Sequence, residues 1–536
     1  MELVKDASTF RNPIIDADVP DPDAIRVGDR FYLIASSFHR APGLPVFASD
    51  DLVNWERIGF ALAGNEPTDW FALPRHGGGV WAPSIRHHGG RFVICYPDPD
   101  QGIFVVTAKD AAGPWSAPRL LLPGLGLIDP CPLWDDDGRA YLVHGWARSR
   151  SGRKNVLTVV PVDADLTATT GAAVDVIDGD LLDGFTTLEG PKFYTRDGAY
   201  WIFAPAGGVA TGWQTVFRAD SPFGPYEHRI ALAQGDTPVN GPHQGAWVED
   251  GAGGDWFLHF QDRGVYGRVL HLQPMAWGDD GWPVMGEAAR GNRIGTGRAQ
   301  PVIEHPLPLN GRGGPQRSRT LARSDDFFGG APGLNWQWEA DVDPAAVADG
   351  DGPGLRLRGS ADGGNLRTMP RVLSQPLPGT ACTVTVDVAL EAGEAGARAG
   401  LAVLGYDYVW AGVRRSTDQG DDAAFEGVVA VRLRDDQSEH EIATVPLSEP
   451  RVRARFDIDE DAGVRVALRG IDAGVDAGAD TAPVERPRAS IAPDFSAVEG
   501  HWVGAGLSLF AAGTRGAAES IARFTAFTVD VREHGA

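Results

Sequence analysis

The sequence is poor in cysteine, short of positive charge and free of long apolar runs. Three cysteines occur in 536 residues, Cys95, Cys131 and Cys382. An odd and sparse set of this kind excludes a disulfide framework. No CxxC pair or Cys/His cluster offers the spacing of a zinc site. No apolar run reaches the roughly 20 residues that a membrane-spanning helix requires.

The charge balance narrows the classes of partner. The chain has 48 Lys and Arg against 72 Asp and Glu, a formal net charge of −24. A surface that binds nucleic acid or an anionic membrane needs clustered positive charge, so neither partner is expected. A neutral sugar is compatible with this balance, although solubility alone also explains it. The first 20 residues lack the charged and apolar regions of a signal peptide, so the sequence as it stands predicts a cytoplasmic protein.

The residues that are abundant indicate many short strands. The 69 glycines and 39 prolines are scattered along the chain, a distribution typical of strands joined by turns. The length of 536 residues predicts two or more domains.

A degenerate repeat occupies the first 300 residues. Each copy has a small or acidic residue beside a proline, a strand, a tight polar turn and a second, aromatic-rich strand. The prolines of the five copies recur about every 55 residues, at Pro22, Pro83, Pro130, Pro191 and Pro242. Further strand pairs lie between the copies, so each unit has the four strands of a propeller blade. The repeat predicts a five-bladed β-propeller over residues 1–300, and a run of sandwich hairpins is the alternative.

Three carboxylates occupy equivalent places in the repeat. The five positions hold Asp21, Ala82, Asp129, Glu189 and the segment Gly241-Pro242-His243. The innermost strands of a propeller line its central channel, so equivalent residues are expected at the same end of the axis. Crowded carboxylates acquire different pKa values, and glycoside hydrolysis needs one protonated acid and one ionised base. Two carboxyl groups on opposite walls of a channel leave room for a water molecule between them, as an inverting mechanism requires.

Four more residues are candidates for sugar binding. Phe38 and Trp81 flank the first and second repeats, where each could pack against a sugar ring or against its own blade. Arg268 could bind hydroxyl groups, hold a carboxylate or form an ordinary ion pair. His243 could line the pocket, bind an ion on the axis or be purely structural. Because Ca²⁺ prefers oxygen ligands, one histidine is weak support for calcium there, and no cofactor is expected to be required.

The motifs resemble glycoside hydrolase family 43. The resemblance covers about residues 10–300 and includes NPIIDADVPDPDAIRVGDRFYLIASSF, IDPCPLWDDDGRAYLVHG and LEGPKFYTRDGAYWIF in that order. It implies an inverting five-bladed propeller enzyme, most often a β-xylosidase or an α-L-arabinofuranosidase.

The resemblance also implies roles for individual residues. It makes Asp21 the general base, Asp129 the residue that tunes and orients the acid, and Glu189 the general acid, and it places Phe38, Trp81, His243 and Arg268 in the pocket. Two positions depart from the usual serines of the family, Asp23 and Cys131. Asp23 is therefore a competing candidate for the base.

The residues after 300 predict a second all-β domain. Residues 301–323 are rich in Pro, Gly and Arg and form the expected linker. Residues 324–536 contain short alternating strands and no helical period, which is typical of a β-sandwich of the jelly-roll kind. This domain could bind sugar, cover the active site or be structural.

The predicted function is the release of terminal β-D-xylosyl or α-L-arabinofuranosyl units from small hemicellulose oligosaccharides. The alternatives are a carbohydrate-binding propeller without turnover and a propeller glycosidase acting on another furanoside. The oligosaccharide is the expected partner, and a homo-oligomer is compatible with the sequence.

Overall fold

The computed structural model describes residues 9–289, 299–311, 314–361, 364–417, 425–436, 438–471, 489–491, 495–514 and 519–532. Its first part contains five four-stranded antiparallel sheets, each built from four strands that are consecutive in the sequence. These sheets are blades 1 to 5, and they confirm the five-bladed propeller.

Each blade runs from an inner to an outer strand in chain order. The strands of blade 1 are Asp23–Val27, Arg30–Ile34, Gly43–Ser49 and Glu56–Leu62. Those of blade 2 are Ser84–His88, Arg91–Asp98, Gly102–Ala108 and Arg119–Pro123. Those of blade 3 are Leu127–Trp134, Ala140–Trp146, Val156–Val162 and Val174–Asp178. Those of blade 4 are Lys192–Arg196, Ala199–Ala206, Trp213–Ala219 and Glu227–Ala233. Those of blade 5 are His243–Glu249, Asp255–Asp262, Arg268–Trp277 and Pro283–Met285.

The propeller core lies between the blades. Because apolar residues alternate along the strands, each sheet has apolar faces that pack against its neighbours. Five buried clusters join successive pairs of blades around the ring. In one of them, Val143 and Leu157 of blade 3 pack with Phe193 and Ile202 of blade 4.

The chain before blade 1 closes the ring against blade 5. Leu33 of blade 1 and Leu258 of blade 5 belong to one buried cluster. The side chain of Asn12 donates to the carbonyl oxygens of Leu272 and Val302, at 2.8 and 2.9 Å. The strand Thr9–Arg11 pairs with Glu304–Pro306, and Glu287–Ala288 pairs with Ala299–Gln300.

The predicted linker packs against both domains. Leu307 and Leu321 are buried in the cluster between blades 5 and 1, whereas Ala322 is buried in the sandwich core. Residues 312–313 lie outside the described residues. The limits 301–323 therefore stay a prediction, but the described part of this segment is a packed connection.

The C-terminal domain is a β-sandwich of two antiparallel sheets, as the sequence predicts. The seven-stranded sheet has the order Gln337–Trp338, Val372–Pro376, Gly506–Ala512, Arg398–Leu404, Tyr408–Arg415, Phe425–Arg432 and His440–Leu447. The six-stranded sheet has the order Leu355–Arg358, Ile521–Val531, Cys382–Ala392, Arg451–Ile458, Val464–Gly470 and Ala489–Ile491. One large apolar cluster fills the space between the sheets.

Helices are short in the described residues. The α-helices are Arg148–Ser151 and Pro308–Gly311. The 3₁₀ helices are Thr68–Phe71, Gly179–Leu181, Gly264–Tyr266, Phe328–Gly330, Pro344–Ala346 and Leu366–Thr368. Among the described residues, no helix combines the length and the apolar character needed to cross a membrane.

The sandwich is bound to blade 1 by buried polar contacts. Glu339 of the sandwich accepts from Arg40 Nε at 3.1 Å, and its other carboxylate oxygen lies 3.1 Å from His39 Nε2. Trp338 and Ala41 exchange backbone hydrogen bonds beside this ionic group. The propeller and the sandwich therefore share a desolvated interface.

Candidate active site

The candidate catalytic carboxylates lie at or near the start of the inner strands of their blades. The residue before the repeat proline has a positive φ in four of the five blades: Asp21, Asp129, Gly190 and Gly241, at 54°, 55°, 60° and 47°. Non-glycine residues rarely adopt this conformation, and at functional sites it is held by the surrounding contacts. The repeated backbone shape directs Asp21 and Asp129 to the same end of the channel.

Glu189 departs from the predicted alignment by one residue. Gly190, and not Glu189, precedes the proline of blade 4. A side chain on Gly190 would clash with Gln244, since a Cβ there would lie 2.3 Å from Gln244 Cγ. Glycine therefore takes the equivalent place, and the glutamate stands one position earlier.

Asp21 is fixed through both carboxylate oxygens. Arg268 donates to Oδ1 at 2.5 Å, and the hydroxyl group of Ser36 donates to Oδ2 at 2.6 Å. Both Asp21 and Arg268 are buried. Sequence reasoning missed Ser36, although it lies two residues before Phe38.

Asp129 lies within electrostatic reach of the other two carboxyl groups. Burial raises the pKa of Asp129 well above its usual range, and the charges of Glu189 and Asp21 raise it further. The backbone N–H of Gly190 donates to Asp129 Oδ2 at 2.7 Å and opposes this rise. Gly145 lies beside both groups, since an ideal Cβ there would lie 3.6 Å from Asp129 Oδ2 and 3.8 Å from Glu189 Cα.

Glu189 is the most accessible of the three carboxyl groups, and its side chain is 26% exposed. Its Oε1 atom lies 3.1 Å from Nε2 of the buried His243. In the part of the chain that the structure describes, His243 belongs to no group of three metal-ligating side chains. The axial ion stays a prediction.

Of the two aromatic candidates, Phe38 lies beside Arg268, whereas no cation–π contact joins Trp81 to this arginine among the described residues. Phe260 is a further aromatic neighbour. The guanidinium of Arg268 lies 5.9 Å from the ring centre of Phe38 and 5.0 Å from that of Phe260. Phe38 is buried and is held by backbone pairing with Val80. Trp81 lies at the rim, where its indole N–H donates to the carbonyl oxygen of Gly77 at 3.0 Å.

The sandwich contributes an aromatic residue to this pocket. The guanidinium of Arg268 lies 5.9 Å from the ring centre of Trp502, and the rings of Trp502 and Trp81 are 6.4 Å apart. Trp502 is 47% exposed and has a φ of 66°. A cavity beside it is lined by blade 5 and by the sandwich segment 499–503. Sequence reasoning missed Trp502 because no motif marks the segment.

Two family models match the chain, one for each domain. The model of the glycosyl hydrolases of family 43 matches residues 10–283. The chain belongs to glycoside hydrolase family 43. The model of the β-xylosidase C-terminal concanavalin A-like domain matches residues 324–530.

Relatives of known name cover the family 43 domain. A Xylanibacter ruminicola protein, provisionally named a β-xylosidase, is 42% identical over 330 residues, which are 62% of this chain and 58% of that protein. The non-reducing end α-L-arabinofuranosidase of Bacteroides ovatus is 35% identical over 298 residues, 52% of this chain and 54% of that protein. The chain thus spans somewhat over half the length of these relatives.

A solved structure extends the likeness of the fold to both domains. The xylan β-1,4-xylosidase of Bacillus halodurans has a TM-score of 0.79 at 22% identity, covering 96% of this chain and 99% of that one. At this identity the likeness shows the fold alone.

The two departures from the family 43 pattern lie in a buried polar layer between the inner strands. Asp23 Oδ2 accepts from Arg86 NH1 and from the backbone N–H of Ile85, both at 2.8 Å. Arg86 also donates to Cys131 Sγ at 2.7 Å. Buried Lys192 crosses from blade 4 to Ser84 Oγ of blade 2, at 3.0 Å. Asp23 is therefore engaged between blades 1 and 2, which favours Asp21 as the base.

Proposed function

We propose that the chain is an inverting exo-glycosidase that removes terminal β-D-xylosyl or α-L-arabinofuranosyl units from hemicellulose oligosaccharides. The observation that carries the proposal is the meeting of Asp21, Asp129 and Glu189, which come from three blades and interact electrostatically. The names of the relatives support the two classes of sugar.

Asp21 is suited to act as the general base. Arg268 and Ser36 orient its carboxylate by donating to both oxygens. A base in an inverting enzyme activates a water molecule on the face of the sugar ring opposite the leaving group. Fixed orientation of the base keeps that water in line with the bond to be broken.

Glu189 is suited to act as the general acid, and Asp129 assists it. The partial exposure of Glu189 allows it to reach the leaving oxygen of a bound sugar. Burial and the charge of Glu189 raise the pKa of Asp129, so Asp129 retains a proton beside Glu189 more readily than an exposed carboxyl group would. Asp129 thereby assists Glu189 in supplying the proton that the leaving group needs.

Removal of terminal units fits the aromatic surroundings. Phe38 and Phe260 lie on blades 1 and 5, and Trp502 approaches from the sandwich. Phe38 and Phe260 are buried and pack around Arg268, whereas Trp502 is 47% exposed and can pack against the apolar face of a single terminal sugar ring.

The test is hydrolysis of the 4-nitrophenyl β-D-xyloside and α-L-arabinofuranoside, and of xylobiose, by the wild type and three variants. We expect Asp21→Ala to lower kcat/KM on every substrate by at least about a hundredfold. We expect Glu189→Ala to have a similar effect on xylobiose and a much smaller one on a 2,4-dinitrophenyl glycoside. That activated leaving group departs without protonation.

Asp136→Ala is the matched control, because Asp136 is an exposed carboxylate in the hairpin turn of blade 3. It is expected to leave all rates unchanged. Binding of the sugars without turnover by the wild type would favour a carbohydrate-binding propeller. Turnover of other furanosides alone would contradict the assigned sugars.

A further inference from the structure

A buried carboxylate ties the sandwich to the arginine that holds Asp21. Asp18 precedes blade 1, and its Oδ1 accepts the backbone N–H of Arg268 at 2.9 Å. Its Oδ2 accepts the backbone N–H of Gly504, from the sandwich, at 3.0 Å. One side chain therefore bridges blade 5 and a segment 486 positions away in the sequence.

The chain segments around Asp18 are packed too closely to shift independently. Gly267 has a φ of 72°, and a Cβ there would lie 2.2 Å from Asp18 Oδ1. A Cβ on Gly504 would lie 2.7 Å from the backbone nitrogen of Gly267. The backbone N–H of Val19 donates to the Arg268 carbonyl oxygen at 2.8 Å, so both polar backbone groups of Arg268 are held.

Two groups of the proposed active site depend on these segments. Arg268 directs its guanidinium to Asp21. Trp502 stands two residues before Gly504, and its ring lies over the same guanidinium. The backbone N–H of Ala505 donates to the Val265 carbonyl oxygen at 2.7 Å and extends the contact. A displacement at Asp18 is transmitted to both groups.

The bridge requires a carboxylate. Among the described residues no lysine or arginine forms an ion pair with Asp18, so the two backbone N–H groups are its direct partners. An asparagine of the same shape would accept through one oxygen and turn an NH₂ group toward the other N–H. The variant Asp18→Asn thus removes one of the two contacts with almost no change in volume.

We propose that Asp18 is a positioning residue that couples the Trp502 segment of the sandwich to Arg268 and so to the base Asp21. This inference rests on the proposed function. It makes the sandwich a part of the catalytic unit, because the position of Trp502 and the orientation of Asp21 share one anchor.

The experiment combines kinetics with amide hydrogen exchange on the full chain. Asp250→Asn is the control, because Asp250 is also a buried aspartate that accepts backbone N–H groups through both oxygens. Its Oδ1 accepts from Ala252 and Gly254, and its Oδ2 accepts from Leu309 and from the indole N–H of Trp256. At a temperature at which all variants are folded, we expect Asp18→Asn to lower kcat/KM about tenfold to a hundredfold. Asp250→Asn is expected to leave kcat/KM unchanged.

A double-mutant cycle separates positioning from a general loss of stability. If Asp18 holds the Trp502 segment, Asp18→Asn combined with Trp502→Ala lowers kcat/KM by much less than the product of the two single effects. Strict multiplicativity, or wild-type kinetics in Asp18→Asn, would overturn the inference.

Hydrogen exchange tests the Asp18 bridge independently of the proposed hydrolysis. We expect Asp18→Asn to speed exchange at Arg268 and Gly504 together, whether or not a sugar is hydrolysed. Unchanged exchange at both amides would refute the bridge. A wild type that hydrolyses none of the substrates, with faster exchange in the variant, would contradict the proposed function only.

Discussion

At the scale of single residues, the site contains three carboxyl groups in three different surroundings, and these differences suit them to different proposed roles. Asp21 is held by an arginine and a hydroxyl group, Asp129 is buried beside other carboxyl groups, and Glu189 faces the opening with a histidine beside it. The sequence predicts these three residues because each stands one or two residues before a repeat proline. It does not predict Ser36, since a serine without a motif carries no signal of its partner.

Ionisation of the buried Asp129 is expected to lower the free energy of unfolding at neutral pH. Its pKa is raised in the folded protein, so above the unfolded value of 3.8 the folded state keeps a proton that the unfolded state has released. Stability is therefore lost as the pH rises through this range. Asp129→Asn cannot ionise, and we expect it to be more stable than the wild type at pH 7 by at least about 1 kcal/mol.

Thermal melts at pH 4 and pH 7, together with kcat/KM, test this expectation. The gain in stability should shrink toward pH 4, while kcat/KM falls at least about a hundredfold. Asp136→Asn, on the exposed turn of the same blade, should change neither quantity. A variant that is less stable than the wild type at pH 7 but not at pH 4 would contradict the account of Asp129.

At the scale of elements, the sandwich segment 499–505 contacts the propeller beside the proposed active site. This segment places Trp502 over Arg268 and anchors Gly504 on Asp18. Sequence patterns predict the strands of the sandwich because alternation marks them. The segment itself has no period, so its approach to the propeller follows only from the packing of the two domains.

Removing the ring of Trp502 is expected to weaken substrate use without unfolding the protein. Its side chain is half exposed, and an aromatic contact contributes about 0.5–1.5 kcal/mol. We expect Trp502→Ala to lower kcat/KM for xylobiose about three- to tenfold, with an unchanged melting temperature. Phe328→Ala serves as the control, since Phe328 is a sandwich aromatic that is 91% exposed. Equal kinetics in the two variants would exclude a role for Trp502.

The ionic group between the domains is expected to stabilise the assembly. Burial alone would raise the pKa of Glu339, but the charges of Arg40 and His39 outweigh it and hold that pKa below its usual value. Glu339→Gln leaves Arg40 buried without its partner, so we expect the free energy of unfolding to fall by about 3 kcal/mol at pH 7.

The pH dependence of this loss has a definite sign. A lowered pKa contributes stability above the unfolded value of 4.5 and loses it as the pH falls. The difference between the wild type and Glu339→Gln should therefore shrink below about pH 4.5. Chemical unfolding at pH 4 and pH 7 measures it. Glu441→Gln, which alters a half-exposed pair with Arg414, should cost less than about 1 kcal/mol at either pH.

At the scale of the whole molecule, the ring of blades and the sandwich follow from the sequence. Five copies of one motif predict five blades, and the clusters between blades bear this out. The repeat predicts Glu189 at the place equivalent to Asp21 and Asp129, whereas Gly190, which packs against Gln244, holds that place in blade 4. Contacts between distant segments, such as Asp18 with Gly504, leave no local pattern and cannot be predicted in this way.

The most direct test of the central claim is proton NMR of the sugar first released from an aryl β-D-xyloside or an aryl α-L-arabinofuranoside. If Asp21 activates water opposite a leaving group protonated by Glu189, the first product is α-D-xylose or β-L-arabinofuranose, before the anomers equilibrate. First release of the β-xylose or α-arabinofuranose anomer would contradict the account.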